Sequence, residues 1–263
     1  METDTIRDKH QKNYPRIEIL DEAYEIPQLG RKRRISVLLP ADYYKTEKQY
    51  PVLYLHDGQN LFDEYAPYGN WGVDKTMKNL KDQGLGDVII VAIDHGGVLR
   101  IQEYLPYDTP RYTESEGSMY LKFMIDDLKP MIDSRFRVLQ DRESTAIGGS
   151  SLGGLISLYA GFEHTETFGK MMIFSPSLWI SEQIYDMAKT FVPAGPTDIY
   201  LYAGGLESAN HYGNVLRLEN LLHEKRKYDG FNLIFAHNPV GQHKEICWGE
   251  QFPIALKWLF YNK

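Results

Sequence analysis

Apolar residues along this chain fall into short runs separated by longer amphipathic stretches. The segments 16–20 and 34–39 alternate apolar and polar residues, which predicts two half-buried antiparallel strands. The runs 51–55 and 87–93 are almost continuously apolar, as in strands that are covered on both faces. Four further strands are predicted, one ending at Gly149 and the others at 170–174, 198–203 and 231–235.

Helical periodicity fills most of the intervals between these strands. Helices are predicted at 71–82, at 119–132 with a break near Pro130, after Gly154, and at 182–191, 212–227 and 251–261. The segment 98–116, rich in Tyr, Pro and Thr, is predicted to be irregular. Strands that alternate with helices predict one α/β domain over 1–263, a doubly wound, mostly parallel sheet with antiparallel N-terminal edge strands. Residues 1–16 are polar and are expected to be flexible.

Composition limits the kinds of partner that this protein is expected to bind. The chain has 263 residues, 43% of them hydrophobic and 25% charged, and a formal net charge of −7, which favours neither nucleic acid nor an anionic membrane. Cys247 is the only cysteine, so no intramolecular disulfide can form. The first 16 residues lack an apolar signal segment, and we expect a cytoplasmic protein. Without an H-E-x-x-H motif or a His/Cys cluster, neither a metal nor another cofactor is expected.

The strongest chemical motif is Gly149-Ser150-Ser151-Leu152-Gly153, which fits G-x-S-x-G, the nucleophile elbow of α/β-hydrolases. The elbow places its central serine on a strained turn between a strand and a helix, and glycines on both sides let the two elements approach. Ser151 is therefore the candidate nucleophile. Ser150 and Ser175 do not hold the central position.

Three other loops supply the partners that a serine nucleophile requires, two of them later in the chain than Ser151 and one earlier. In open α/β sheets, functional residues gather at the carboxyl ends of the strands. Glu207 and His243 follow two such strands, in the order Ser, acid, His that is typical of α/β-hydrolases. His243 is predicted to be the general base and Glu207 to orient its imidazole. The backbone N–H groups of Leu152 and Gln59 are the predicted oxyanion donors.

Other acidic residues and histidines fit these roles less well. Asp94 follows a strand that precedes the nucleophile, which breaks the chain order, and Asp198 begins a strand instead of ending one. His56, at a strand end, is expected to hydrogen-bond the loop backbone, and His237 is expected to be structural. Cys247 is interpreted as a small hydrophobe beside the site.

Four segments together resemble the Putative esterase family, which groups proteins similar to esterase D, enterochelin esterase, and feruloyl or acetyl-xylan esterases. They are YLHDGQNLFD at 54–63, the elbow, GGLES at 204–208 and GQHKEICW at 241–248. The resemblance extends from about residue 30 to the C-terminus and implies the triad Ser151, Glu207 and His243, with Gln59 and Leu152 as the oxyanion hole. It also implies that Trp179 borders the acyl or leaving-group side; packing in the core is the alternative.

These observations predict a serine carboxylic ester hydrolase that forms an acyl-serine intermediate. The expected small-molecule substrate is an acylated sugar, an aromatic ester or a siderophore-type ester. Arg100 and Arg111, in an excursion that could form a lid, are candidates to bind an anionic group, or are instead solvated or paired with Glu103 and Glu114. The alternatives are an acyltransferase and a non-catalytic binding protein on the same fold. The oligomeric state is open, with a homodimer as one option.

Overall fold

An eight-stranded, mostly parallel sheet runs through the computed structural model, which describes residues 13–62, 66 and 68–261. The strands are β1 (Arg16–Ile26), β2 (Arg31–Leu39), β3 (Val52–His56), β4 (Ile89–Ile93), β5 (Thr145–Ser150), β6 (Lys170–Phe174), β7 (Thr197–Gly204) and β8 (Phe231–Asn238). Their order is β1-β2-β4-β3-β5-β6-β7-β8; the pairs β1–β2 and β2–β4 are antiparallel and all others parallel. The predicted fold class is confirmed. Most of the segment 1–16 lies outside the described residues.

Helices cover both faces of the sheet. They are α1 (Val73–Asp82), α2 (Arg100–Tyr104), α3 (Gly117–Phe123), α4 (Lys129–Arg135), α5 (Leu152–Glu163), α6 (Gln183–Thr190), α7 (His211–His223) and α8 (Glu245–Tyr261). Helices α1 and α8 pack on one face against a cluster that includes Leu53 and Leu55. The remaining helices cover the other face, to which Val52 and Tyr54 point. Successive side chains of a strand point to opposite faces of the sheet, and helices cover both faces here. The central strands are therefore apolar throughout.

Several elements depart from the predicted boundaries. The helix expected to break near Pro130 continues to Arg135, because a π-helical turn at Met124–Leu128 places Pro130 in the first turn of α4, where its missing N–H is tolerated. Helix α8 begins at Glu245, six residues before its predicted start at 251. Pro253 lies in the interior of the helix, where a proline normally indicates a helix start or end. The excursion 98–116 is only partly irregular, since it contains the short helix α2.

The carboxyl ends of the parallel strands share one edge of the sheet. Strand β3 pairs with β4 on one side and with β5 on the other, and the chain reverses its direction of travel across the sheet at this point. Such a switch point leaves a crevice between the loops that follow the two strands. In the described part of the chain, no helix is both long and apolar enough to span a membrane.

Candidate active site

Ser151 lies on a strained turn between β5 and α5. Its backbone has φ +58° and ψ −121°, a conformation that non-glycine residues rarely adopt. The Ser151 N–H donates to the carbonyl of Phe174 at 3.0 Å, which ties the turn to β6. A Cβ on Gly149 would lie 2.9 Å from the carbonyl carbon of Gly153, so glycine is required where the strand and helix approach. The turn has the geometry expected of a nucleophile elbow.

Glu207 and His243 meet where the loops that follow β7 and β8 come together. Nδ1 of His243 lies 2.6 Å from Oε2 of Glu207, whose side chain is 1% exposed. A carboxylate can only accept, so the imidazole carries its proton on Nδ1 and leaves the lone pair of Nε2 free. This is the tautomer that a general base requires.

The Glu207 carboxylate is held by further donors. Its Oε1 accepts from the Ser175 hydroxyl and from the Gly204 N–H, both at 2.6 Å. Burial alone would raise the pKa of Glu207, but the hydrogen bonds from His243 and Ser175, together with nearby His211, outweigh burial and lower it. Glu207 is therefore ionised at neutral pH. Nε2 of His211 is also 3.1 Å from Oε2, although without the alignment of a hydrogen bond.

Trp248 completes a chain of donors behind the acid. Its indole Nε1–H donates to Oγ of Ser175 at 2.9 Å, and its ring meets the His243 ring edge to face at 4.8 Å. Ser175, fully buried with φ +45°, thus accepts from Trp248 and donates to Glu207. From the sequence alone, Ser175 is only a rival candidate for the nucleophile. The signal available for it was the Ser-Pro-Ser segment directly after β6.

Ser151 and His243 line one cavity of about 880 Å³. Within the described part of the chain, the hydrogen bond of Ser151 Oγ is with Ser177 Oγ, at 3.1 Å, and not with His243. Catalytic hydrogen bonds are often long before a substrate binds, so this geometry is compatible with a serine–histidine pair.

Gln59 and Leu152 lie on the turns after β3 and β5. Leu152 is the first residue of α5, whose N-terminus carries unpaired N–H groups and a partial positive charge. The Gln59 side chain is held in place by His95, whose N–H donates to Oε1 at 3.0 Å. Among the described residues, neither backbone N–H has a hydrogen-bond acceptor. Both remain candidate oxyanion donors.

The cavity mixes charged, polar and apolar walls. Arg100 lines it, but its guanidinium is engaged by Asp57 and not by the predicted Glu103. Lys244 and Glu245 lie next to His243, and burial raises the pKa of Glu245. Three apolar side chains at the mouth are unusually exposed: Tyr68 (70%), Val98 (97%) and Ile246 (65%). Such exposure is typical of a surface that meets a ligand.

The exposed Trp179 lies in a turn just after Ser177. Its side chain is 60% exposed, which contradicts packing in the core. Trp179 does not line the cavity of Ser151, so any contact with a substrate would be made outside that cavity. Arg111 is exposed and lies over the ring of Tyr112 instead of pairing with Glu114.

The rival residues have other partners. His56 is fully buried and hydrogen-bonds the Tyr120 hydroxyl at 3.0 Å, not the loop backbone, and burial lowers its pKa to about 4. Asp94 forms an ion pair with Arg34 at 3.0 Å. His237 is an exposed residue of β8 whose ring contacts that of Tyr212 in a tilted arrangement, with the centroids 4.4 Å apart. Cys247 accepts a weak hydrogen bond from the Gln242 N–H.

Comparison with known proteins places these features in a family context. A family model described as Putative esterase matches residues 26–259. The uncharacterized protein YbbA of Bacillus subtilis is 26% identical over 242 residues, which cover 87% of this chain and 92% of YbbA. An endo-1,4-beta-xylanase/feruloyl esterase of Xylanibacter ruminicola is 28% identical over 207 residues, covering 74% of this chain but 27% of that protein.

A solved structure gives the same fold. The enterobactin esterase of Shigella flexneri superposes with a TM-score of 0.72 at 21% identity, over 94% of this chain and 59% of that chain. At this level of identity, the likeness bears on the fold alone.

Proposed function

Because this chain belongs to the Putative esterase family, whose activity is ester hydrolysis, we propose that it cleaves carboxylic esters through an acyl-serine intermediate on Ser151. The observation that carries the proposal is the Glu207–His243 hydrogen bond of 2.6 Å, in a site where Ser151 occupies the tip of an elbow that lines the same cavity. This arrangement has a nucleophile, a buried acid and an oriented base on the loops that follow β5, β7 and β8.

In the proposed mechanism, Nε2 of His243 takes the proton of Ser151 as Oγ attacks the ester carbonyl carbon. Glu207, ionised and held by Ser175, stabilises the imidazolium that forms. The carbonyl oxygen becomes an oxyanion, which the N–H groups of Leu152 and Gln59 stabilise. The imidazolium then protonates the leaving alcohol as the carbon–oxygen bond breaks. Water, activated by His243, hydrolyses the acyl-serine by the same steps in reverse.

Hydrolysis is favoured over acyl transfer by the exposure of the base. The His243 side chain is 39% exposed, so water has access to the imidazole of the proposed base. An acyltransferase must keep water from this position. We therefore propose a hydrolase whose substrate is an acylated sugar, an aromatic ester or a siderophore-type ester. The mouth formed by Tyr68, Val98 and Ile246 favours an ester with a bulky apolar or aromatic part.

The test is turnover of p-nitrophenyl acetate and butyrate by the wild type and by Ser151→Ala. We expect kcat to fall about 10⁴-fold or more, because no other group forms the acyl intermediate. A fluorophosphonate should add once, at Ser151, as determined by intact and peptide mass. Ser134→Ala, which removes an exposed serine hydroxyl on α4, is the matched control and should keep full activity.

Three results would contradict the proposal. Full turnover by Ser151→Ala would eliminate the acyl-serine mechanism. Absence of both turnover and adduct in the wild type would favour a non-catalytic binding protein. An added alcohol that captures more acyl group than water does would identify an acyltransferase.

A further inference from the structure

A buried ion pair joins the two turns that carry the proposed oxyanion donors. Nε and Nη2 of Arg100 contact the two carboxylate oxygens of Asp57 at 2.6 and 2.7 Å. The Asp57 side chain is 6% exposed and that of Arg100 21%. Nη2 also lies 3.5 Å from the carbonyl oxygen of Ser150. One guanidinium therefore contacts both the turn after β3 and the end of β5.

Asp57 determines the path of the turn on which Gln59 lies. Its backbone is left-handed, with φ +60°, an unfavourable conformation that must be held by surrounding contacts. The residue after it, Gly58, has no room for a Cβ, which would lie 2.7 Å from Oδ1 of Asp94. On the other side, a Cβ on Gly153 would lie 3.0 Å from Oδ2 of Asp57. The Asp57 carboxylate is thus wedged between Arg100 and the first turn of α5.

Helix α2 holds Arg100 in place from its other end. Glu103, one turn further along α2, is fully buried and accepts hydrogen bonds from Arg31, at 2.9 Å, and from Arg33. Both arginines belong to β2, so α2 is tied to the sheet. This anchoring argues against the excursion acting as a mobile lid.

We infer that Arg100 is a positioning residue: through Asp57 and the Ser150 carbonyl, it keeps the N–H groups of Gln59 and Leu152 at the spacing that a tetrahedral intermediate requires. The inference rests on the proposed function. It gives Arg100 a different role from the binding of an anionic substrate, because its Nε and Nη2 donors face Asp57. A fixed bidentate fork, which lysine lacks, is essential to this role.

The test compares Arg100→Gln and Arg100→Lys with the wild type on p-nitrophenyl butyrate and on the anionic mono-p-nitrophenyl succinate. We expect kcat to fall about 10²-fold for both esters in both variants, since a displaced donor no longer meets the oxyanion. KM for butyrate should stay within about twofold, because ground-state binding is untouched. The inhibition constant of an aryl trifluoromethyl ketone should rise by the factor by which kcat/KM falls, since its serine adduct places an oxyanion in the same hole.

Two further variants make the result decisive. Arg135→Gln, which removes an exposed guanidinium on α4, is the control and should match the wild type. Arg100→Gln leaves Asp57 buried without a partner and could fail to fold. The double variant Asp57→Asn/Arg100→Gln removes both charges, and its loss of kcat should equal that of either single change.

Several outcomes would overturn the inference. Recovery of kcat in Arg100→Lys, or wild-type kcat in the double variant, would exclude a positioning role. A rise in KM for the succinate ester alone would identify Arg100 as an anion-binding residue. Equal turnover by the wild type and Ser151→Ala would instead overturn the proposed function itself, and this inference with it.

Discussion

At the scale of single residues, the buried acid depends on a serine that does not itself react. The Ser175 hydroxyl accepts from Trp248 and donates to Glu207, so its proton has a fixed direction. A hydrogen bond to a charged group contributes about 1.5–3 kcal/mol, more than a neutral one. Ser175 therefore stabilises both the ionised state and the orientation of Glu207.

We predict that Ser175→Ala lowers kcat by about ten- to a hundredfold, as loss of one hydrogen bond to a carboxylate implies. The pKa of Glu207 should rise, because a donor to its ionised form is removed. Steady-state kinetics measure the first effect, and NMR of ¹³C-labelled glutamate carboxyl groups measures the second.

Ser181→Ala is the matched control, since Ser181 is a buried serine of the same loop that bonds Gln183 instead of Glu207. It should change neither kcat nor the pKa of Glu207. If both alanine variants lose activity equally, the effect is one of loop stability and Ser175 has no particular role.

The chain order and the strand ends were enough to predict which loops meet at the site. The Glu207–His243 contact follows from those rules, whereas the catalytic roles remain predictions. The contacts of Ser175, Ser177 and Trp248 could not be predicted, because they depend on the register of β6 against β7 and on where α8 begins. Likewise, the sequence offered Glu103 as a partner for Arg100, but helix geometry turns the guanidinium towards Asp57.

At the scale of elements, the elbow depends on close contact between a strand end and a helix start. A Cβ on Gly149 would lie 2.9 Å from Gly153, closer than real Cβ contacts. We predict that Gly149→Ala destabilises the fold by about 1–3 kcal/mol through overpacking and lowers kcat as Ser151 moves. Chemical denaturation and esterase kinetics measure the two effects.

Gly213→Ala provides the comparison. Gly213 is an exposed helical residue of α7, and a Cβ there would meet nothing within 4 Å. Alanine should raise the free energy of unfolding slightly, by about 0.5–1 kcal/mol. Equal effects of the two substitutions would show that the elbow is not tightly packed.

The order and type of most elements were predictable, while their ends were less so. Periodicity in the apolar runs identified the eight strands, but β1 continues six residues past its predicted end at residue 20, to Ile26. Two register shifts interrupt its alternation between Ile19 and Tyr24, which hid the remainder of the strand. Pro130 and Pro253 likewise led to helices that were predicted too short, because a proline is a weaker stop when the neighbouring hydrogen bonds can shift.

At the scale of the whole molecule, His56 links stability to pH. The ring is fully buried, and burial lowers its pKa to about 4 from the ordinary value of 6.5. Between these values the unfolded chain binds a proton that the folded chain does not, so the free energy of unfolding falls as pH falls. This contribution is fully present above pH 6.5 and is lost towards pH 4.

We predict that His56 accounts for a loss of about 2 kcal/mol between pH 7 and pH 5. Urea denaturation of wild type and His56→Asn at both pH values measures the difference, since asparagine does not titrate. His223→Asn, which replaces an exposed histidine, should keep the wild-type dependence. An unchanged dependence in His56→Asn would mean that the ring does not stay neutral in the fold.

Non-glycine residues with positive φ in the described part of the chain are Asp57, Ser151 and Ser175, and each follows the carboxyl end of a different neighbouring strand. A library selected only for heat resistance should therefore accumulate glycine at position 151, because glycine relieves the backbone strain there. The same substitution removes the hydroxyl of the proposed nucleophile. Thermostable variants of this protein are best sought elsewhere, on the surfaces of α6 and α7, with these three turns excluded from randomisation.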